Sequence, residues 1–451
     1  MKMKKYFILC LFAVLFCCKQ EELPENLVED LQENLADDLK DDLKEDLKDD
    51  LVDTLNFRLV CVRPVATIDA GKVQLKWGPI FYELIMLPYK MVQPDKIDIY
   101  ISENDMSDFQ KIIEVEHGGN YTYTVDKLQN GKQYFFYTVS KKDGFKSLIS
   151  DTIMAVPNER KGFEILQKSE EEHIPSLSHI SVSHKKNKVA YVNNYYYWNG
   201  GLDCCMASSV LISNIDGSGK ELVKIHGYNP SWSPADDKIV FHFDGIHNVG
   251  WIPNQLVMYD CKTKSIIQLT DDKFYNRSPV FSKNGESILY QSSKNTSDTY
   301  DSNIWLMNLI TLESFQVTDI FKASLNTAER PSWIDNDRFL FHGVYYNYGK
   351  NHYQIFESSV SKGQITKIIE SKWNDYTPSM SSDQKKIAFI SDRSGIDHVW
   401  VYNIDNNTFS QISGYSYNES VEPSWDNVVW LDNSTIVYTT NGNKLIKQNV
   451  E

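Results

Sequence analysis

Pro230-Ser231-Trp232-Ser233 is followed, after five residues, by Ile239-Val240-Phe241, and this pairing recurs down the chain. It returns as Pro279-Val280-Phe281-Ser282 with Ile288-Leu289-Tyr290, and as Pro331-Ser332-Trp333 with Phe339-Leu340-Phe341. Pro378-Ser379-Met380-Ser381 with Ile387-Ala388-Phe389 is another copy, and so is Pro423-Ser424-Trp425 with Ile436-Val437-Tyr438. Ile180-Ser181-Val182-Ser183 with Val189-Ala190-Tyr191 is a first copy without the proline, and successive prolines stand 49, 52, 47 and 45 residues apart. Each unit then offers a third strand, such as Ile304-Trp305-Leu306-Met307 or Val399-Trp400-Val401-Tyr402. A fourth ends in Gln268-Leu269-Thr270, Gln316-Val317-Thr318 or Gln411-Ile412-Ser413. Four strands per unit at this period predict a six-bladed β-propeller over residues 158–451. The last copy runs out after its third strand, Lys444-Leu445-Ile446-Lys447. Gly162-Phe163-Glu164-Ile165-Leu166, ahead of the first copy, is the expected fourth strand, which closes the ring with strands from both ends.

With Ser391-Asp392-Arg393-Ser394-Gly395 standing before Val399-Trp400-Val401, the repeat resembles the TolB-type, WD40-like propeller repeat. In such a ring, the loop before each first strand and the loop between strands two and three share one face. That face is rich in aromatics: Tyr195, Tyr196, Tyr197 and Trp198, then Trp251, Tyr300, and Tyr345, Tyr346, Tyr348 and Tyr353. Asn229, Arg277, Glu329, Arg330, Tyr376 and Glu422 stand just before the prolines, around the channel mouth. Flat rings beside charged and amide groups suit a sugar or a protein partner, because they bury area with little entropy loss. The candidate ligand-binding set is therefore Trp198, Trp251, Tyr300, Tyr346, Arg277, Arg330 and Glu422.

Residues 56–157 have a different texture. Val73–Trp77, Lys96–Ile101, Tyr121–Val125, Tyr134–Val139 and Leu148–Val156 alternate apolar and polar residues between turn signals, which predicts a β-sandwich. Trp77, and Leu128-Gln129-Asn130-Gly131-Lys132-Gln133-Tyr134 with its L-x-x-G-x-x-Y pattern, resemble a fibronectin type III domain. The resemblance implies a buried Trp77 and a Tyr134 hydroxyl tied to nearby backbone. The stretch 79–95 is longer than that family uses between strands B and C. Modules of this kind are mostly spacers or adhesion units, so the resemblance assigns no function.

Ahead of this module, Lys2, Lys4 and Lys5 precede the apolar run Tyr6 to Phe16 and then Cys17-Cys18. A basic segment followed by a short apolar run reads as a secretory signal over 1–18, too short to span a bilayer as a mature helix. Leu15-Phe16-Cys17-Cys18 resembles a bacterial lipoprotein signal, which implies a lipid on Cys18, with Cys17 as the alternative. Lys19-Gln20-Glu21-Glu22 resembles the acidic export tag of Bacteroidetes-type surface lipoproteins. Residues 19–55 hold fifteen Asp or Glu against four Lys, with Leu at every fourth position from 23 to 55. That period drifts around a helix instead of forming a coiled-coil seam, so a solvated, partly helical spacer is expected. Much of the formal charge of −15 over 451 residues sits in this segment. No basic patch to meet phosphates is apparent, which argues against nucleic acid. Cys61, Cys204, Cys205 and Cys261 show neither CxxC nor Cys–His ligand spacing.

No nucleophile elbow, HExxH or phosphate loop appears, and no hydrolase domain follows the repeats. Catalytic residues, metal and cofactor are all expected to be none. The alternative is a metal-dependent, oligogalacturonate-type lyase, which shares this repeat class and holds its metal with several His. His242 and His342 occupy equivalent ends of second strands, with Gln291 at the same position between them, and none has HxH or HxxxH spacing. The expectation is an all-β, non-catalytic lipoprotein of the outer membrane, at the cell surface or periplasmic face. It would be anchored by lipid and bind a protein or glycan on its propeller face.

Overall fold

The computed structural model describes residues 58–84, 87–116, 121–168, 177–198, 204–247, 250–296, 301–347, 350–416, 421, 427–440 and 444–450. The signal segment, Cys18, the acidic spacer, Tyr300 and Glu422 lie outside them. Among the described residues every regular element is a β-strand.

Two compact units divide the chain. In the smaller, residues 58–60, 81–84 and 87–92 belong to a three-stranded sheet in which Arg58–Val60 pairs antiparallel with Ile80–Leu84, and this in turn with Leu87–Val92. The stretch noted as overlong between two sandwich strands thus contains a hairpin in a sheet of its own.

The larger unit, residues 61–80 and 93–451, holds everything else. Its first part has two sheets. Val65–Asp69, Lys72–Lys76 and Thr122–Val125 make one; Lys96–Glu103, Gln110–Glu116 and Tyr134–Lys142, with Phe145–Lys146 and Ile153–Ala155, make the other. Alternate residues fill a core of Ala66, Ile68, Val73, Leu75, Trp77, Ile97, Ile99, Tyr134 and Phe136. The Tyr134 hydroxyl accepts the Gln129 amide at 2.9 Å. The expected strand over Leu148–Val156 shrinks to Ile153–Ala155. Ahead of it Ser147 N and Ser150 N still donate to Ser140 O and Thr138 O, while the Ser147 and Ser150 hydroxyls take the Ser140 and Thr138 amides, both at 2.9 Å, in place of backbone carbonyls.

Among the described residues beyond 157 there are six four-stranded antiparallel sheets. The first strands are Ser178–Val182, Gly227–Trp232, Asn276–Phe281, Thr327–Trp333, Asp375–Met380 and Val428–Trp430. Each packs against the next, and the sixth packs also against the first. The sixth sheet takes its outer strand, Glu164–Lys168, from the other end of the chain, pairing it with Lys444–Asn449 in the register Glu164↔Lys447 and Lys168↔Lys444.

The repeat signature has a side-chain chemistry. The serine four residues into each motif caps the turn that follows: Ser183, Ser233, Ser282 and Ser381 Oγ accept the amides of Lys188, Lys238, Ser287 and Lys386 at 2.9–3.1 Å. In the fourth strand, Gln268, Gln316 and Gln411 donate to the carbonyl two residues on, at 2.7–3.1 Å. The hydroxyls of Thr270, Thr318 and Ser413 accept third-strand amides at 2.8–2.9 Å. The motif tryptophan reaches across to the preceding repeat. The Trp232 indole donates to Ser181 O, and the Trp333 indole to Val280 O, at 3.1 and 3.2 Å.

In the last repeat that role belongs to Trp430, which donates to Ser379 O at 2.9 Å. The sixth motif therefore runs Asn427-Val428-Val429-Trp430. The expected copy at Pro423-Ser424-Trp425 stands five residues earlier in the sequence and lies outside the described residues. Asn427 supplies the closing contact: its amide group accepts from Ile180 N and donates to Ile180 O, both at 2.8 Å.

Residue 157 is not a hinge. Phe135, which alternation turns away from the sandwich core, shares a second core with Met154, Val156, Leu340, Phe389 and Trp400. Backbone bonds run from Ala66 N to Ser394 O (2.8 Å), Ile68 N to Gly414 O (3.0 Å) and Met154 N to Arg393 O (2.6 Å). A Cβ on Gly395, at φ +100°, would meet Pro64 O at 2.2 Å, so this close approach requires glycine. The Ser391–Gly395 motif is thus where the two sheets ahead of residue 157 bond to the repeats.

Candidate functional site

The site is built by one distortion made five times. In repeats one to five the first strand carries an extra residue against the second: Ser178↔Val192 is followed by Ser181↔Ala190, and the same slip occurs at Tyr228, Arg277, Glu329 and Tyr376. Within each bulge one non-glycine residue is left-handed: His179, Asn229, Ser278, Arg330 and Thr377 have φ of 48, 49, 48, 50 and 46°. Such conformations cost of order 1–3 kcal/mol each and persist only when their surroundings impose them. A bulge also re-aims side chains, here two successive residues per strand.

The bulge frees a backbone amide that needs a partner. Ser278 N donates to His242 Nδ1 at 3.4 Å, Arg330 N to Gln291 Oε1 at 3.1 Å, and Thr377 N to His342 Nδ1 at 3.3 Å. The second-strand positions occupied by His242, Gln291 and His342 are therefore amide acceptors for the next repeat. This explains why polar residues stand where Val192 and Ile390 stand elsewhere.

A cavity of about 330 Å³ opens where these strands begin. Arg277, Arg330, Asp244, Glu329, Asn254 and Tyr228 are among its lining residues. Arg277 Nε donates to Asn254 Oδ1, and Asn254 donates in turn to Asp244. Burial pushes the Asp244 carboxyl up from its ordinary value, against the opposing pull of Arg277. Glu329 is pushed up by burial too, but His342 at 3.6 Å, together with Arg330 and Thr327, holds it below the usual carboxylate range. Burial first, then Arg277 and Arg330, keep His242 well below its ordinary value and so neutral. Arg330 reaches His179 at 3.3 Å, joining repeat four to repeat one. The wall thus mixes both signs of charge with amides. A larger cleft, of about 450 Å³, lies at the Tyr134 corner, lined by Asn104, Gln129, Lys132 and Gln133; it brings no opposed charges together.

Of the residues anticipated from sequence, Arg277 and Arg330 meet in the mouth. Tyr346 is 63% exposed and pairs with Asn351 in a hairpin. The aromatic stretches expected as loops are strand extensions: Lys188–Trp198 with Cys204–Asn214, Lys238–His247 with Gly250–Asp260, and Arg338–Asn347 with Lys350–Ser359. Trp198 pairs with Cys204 and Trp251 with Ile246 at backbone level; the side chains of Trp198 and Trp251 lie outside the described set. Tyr345 stacks on His352 with ring centroids 5.1 Å apart, and Tyr353 lies against Tyr376 at 4.6 Å. Asp244, Asn254, Tyr228 and His179 were not anticipated. Only the residue before each proline gave a signal for this ring, and His179 has no proline after it. Among the described residues no group of three metal-ligating side chains converges.

No protein-family model matches the chain. Among curated proteins, the Tol-Pal system protein TolB of Francisella tularensis subsp. holarctica is 24% identical over 344 residues, covering 67% of this chain and 76% of its own length. Among solved structures, TolB from Acinetobacter baumannii aligns at a TM-score of 0.41 with 18% identity, over 71% of this chain and 77% of that one. An oligogalacturonate lyase in complex with manganese aligns at 0.43 with 10% identity, over 88% and 98%. Together with the repeat pattern, the likeness in sequence means that the chain carries a TolB-like β-propeller.

Proposed function

We propose that this chain is a non-catalytic cell-envelope lipoprotein that binds a partner at the mouth of its propeller. On this reading Cys18 carries the lipid at the outer membrane and 19–55 is the spacer. Residues 56–157 are a fibronectin type III-like module, and 158–451 close as six blades. Closure is supported by the packing of each first strand on the next and by the strand Glu164–Lys168 beside Lys444–Asn449. The module assignment is supported by the buried Trp77 and the Tyr134–Gln129 bond.

The observation that carries the function is the repeated left-handed bulge: four of its five strained positions, His179, Asn229, Ser278 and Arg330, line one cavity, where strain serves recognition more readily than packing. His242 and His342 have Nδ1 committed to backbone amides, which favours binding over the lyase alternative. The relatives are named as Tol-Pal system proteins, so a protein partner is preferred to a glycan. Trp198, Trp251, Tyr300, Tyr346, Arg277, Arg330 and Glu422 are the proposed contacts. The test is capture of envelope proteins and glycans by the full-length chain. Trp198→Ala with Trp251→Ala should abolish capture at an unchanged melting temperature, whereas Leu222→Ala, on an outer strand, should not. Equal capture by all three would remove the mouth from consideration.

A further inference from the structure

Among the described residues Arg277 is a cation of the mouth in no ion pair, with Asp244 acting on it only across Asn254. Arg277 is half-buried; its Nε is bonded to the neutral amide of Asn254, and its guanidinium lies 4.9 Å from the Tyr275 ring. Among the described residues no carboxylate lies within ion-pair distance of it. Asp244 is tied to Asn254 instead, and Glu329 is committed to His342. A guanidinium presents donors on two edges, and here the Nε is engaged while the group faces a cavity. A planar fork turned to a cavity matches a carboxylate, and removal from bulk water strengthens such a pair.

We propose that Arg277 is the anchor for a carboxylate on a protein segment inserted into the mouth; this rests on the mouth being the binding face. The other lining groups select the carrier. Asp244 and Glu329 share the wall, so a polyanion such as a polyuronate meets repulsion at every unit, whereas a single acidic side chain beside neutral residues meets far less. The tyrosine lining the cavity, Tyr228, has its ring stacked on His242 at 5.4 Å, so that face is not open to a sugar ring. Asn229 and the NH2 end of Gln291 line the cavity and are groups of the kind that pair with an extended backbone. The lining of the cavity therefore points to an acidic peptide.

The test is an NMR titration of the full-length chain, following the Arg277 Nε–H signal, assigned by its loss in Arg277→Lys. The probes are Gly/Ser/Asn decapeptides carrying one Glu, the same peptides with Gln, and an oligomer of glucuronate. The Glu peptide should shift the signal saturably, the Gln peptide should bind about tenfold more weakly or worse, and Arg277→Lys, followed by the backbone amide signals of the mouth instead, should show a similar loss. Equal binding of Glu and Gln peptides, tighter binding of the oligouronate, or no peptide binding at millimolar concentration would each overturn the assignment. If Arg277→Lys changes nothing while Trp198→Ala with Trp251→Ala still abolishes partner capture, the carboxylate anchor fails and the mouth stands. If neither variant matters, the mouth itself fails.

Discussion

Replacing Arg393 with Met should unlock the sandwich module and the propeller together. Arg393 is 1% exposed and its Nη2 lies 2.6 Å from Asp375, which is fully buried. Its Nε donates to Ser391 Oγ at 2.9 Å, and its guanidinium lies 4.3, 4.9, 5.3 and 5.6 Å from the rings of Phe409, Phe389, Trp400 and Trp373. Met fits such a slot by shape, so the loss is one of charge pairing. Breaking a buried pair by removing one partner costs about 3–5 kcal/mol, a large share of the roughly 5–15 kcal/mol that holds a typical protein folded. Replacing Asp375 as well, by Leu, should recover most of this, because the residual cost is the stranded carboxylate.

The pH dependence has a definite sign. Burial raises the Asp375 pKa above its ordinary value, with Arg393 opposing. The folded chain therefore holds that proton more tightly than the unfolded one. The resulting stability is full below the ordinary Asp value and is lost as pH rises through the raised folded value. Without Arg393 the folded value rises further, so the deficit of Arg393→Met should be largest at neutral pH and shrink as pH falls toward about 4. Urea unfolding followed by tryptophan fluorescence measures it. Since the Arg393 and Ser394 carbonyls hold Met154 N and Ala66 N, one earlier transition is expected for the whole unit. A single-variant loss under about 1 kcal/mol, or a double variant worse than the single, would refute the reasoning.

Gln167→Ala should lower the melting temperature, with a cost of about 1–3 kcal/mol, since its amide reaches Ser213 Oγ, Asn214 O and Ile215 O at 3.1–3.2 Å and ties the closing sheet to repeat one. Trp430→Phe and Trp333→Phe should each cost about 1 kcal/mol for the lost indole bond; a silent Trp430→Phe would restore the sequence-based register. Cys18→Ala should release the chain from membranes in fractionated cells, while release by Cys17→Ala alone would move the lipid to Cys17.

How far the sequence could be read follows from the range of each interaction. Ser233 and its equivalents cap a turn five residues away, and Gln268 bonds two residues on, so both leave a periodic trace. The closing strand was legible because an unpaired third strand demands a neighbour. The bulges were not, since a left-handed residue may be His, Asn, Ser, Arg or Thr, and the cause lies in the preceding repeat, about 35 residues away at His242 and Ser278. Asn427 was missed because it imitates backbone pairing without the motif's proline. The seating of the module was hidden because Phe135 looks like any outward strand residue until its partners, Leu340 and Phe389, are known. Arg277 and Arg330 were found by position before proline, but the neutral partner that leaves Arg277 unmet is Asn254, on another strand.

The most direct measurement is photo-cross-linking in intact cells from two exposed positions, Tyr346 on a hairpin of the mouth face and Ile310, 82% exposed, on a turn at the other face. The account predicts a discrete protein adduct from position 346, lost on Arg277→Gln, and none from 310. An adduct from 310 alone, or one from 346 that survives Arg277→Gln undiminished, would contradict it.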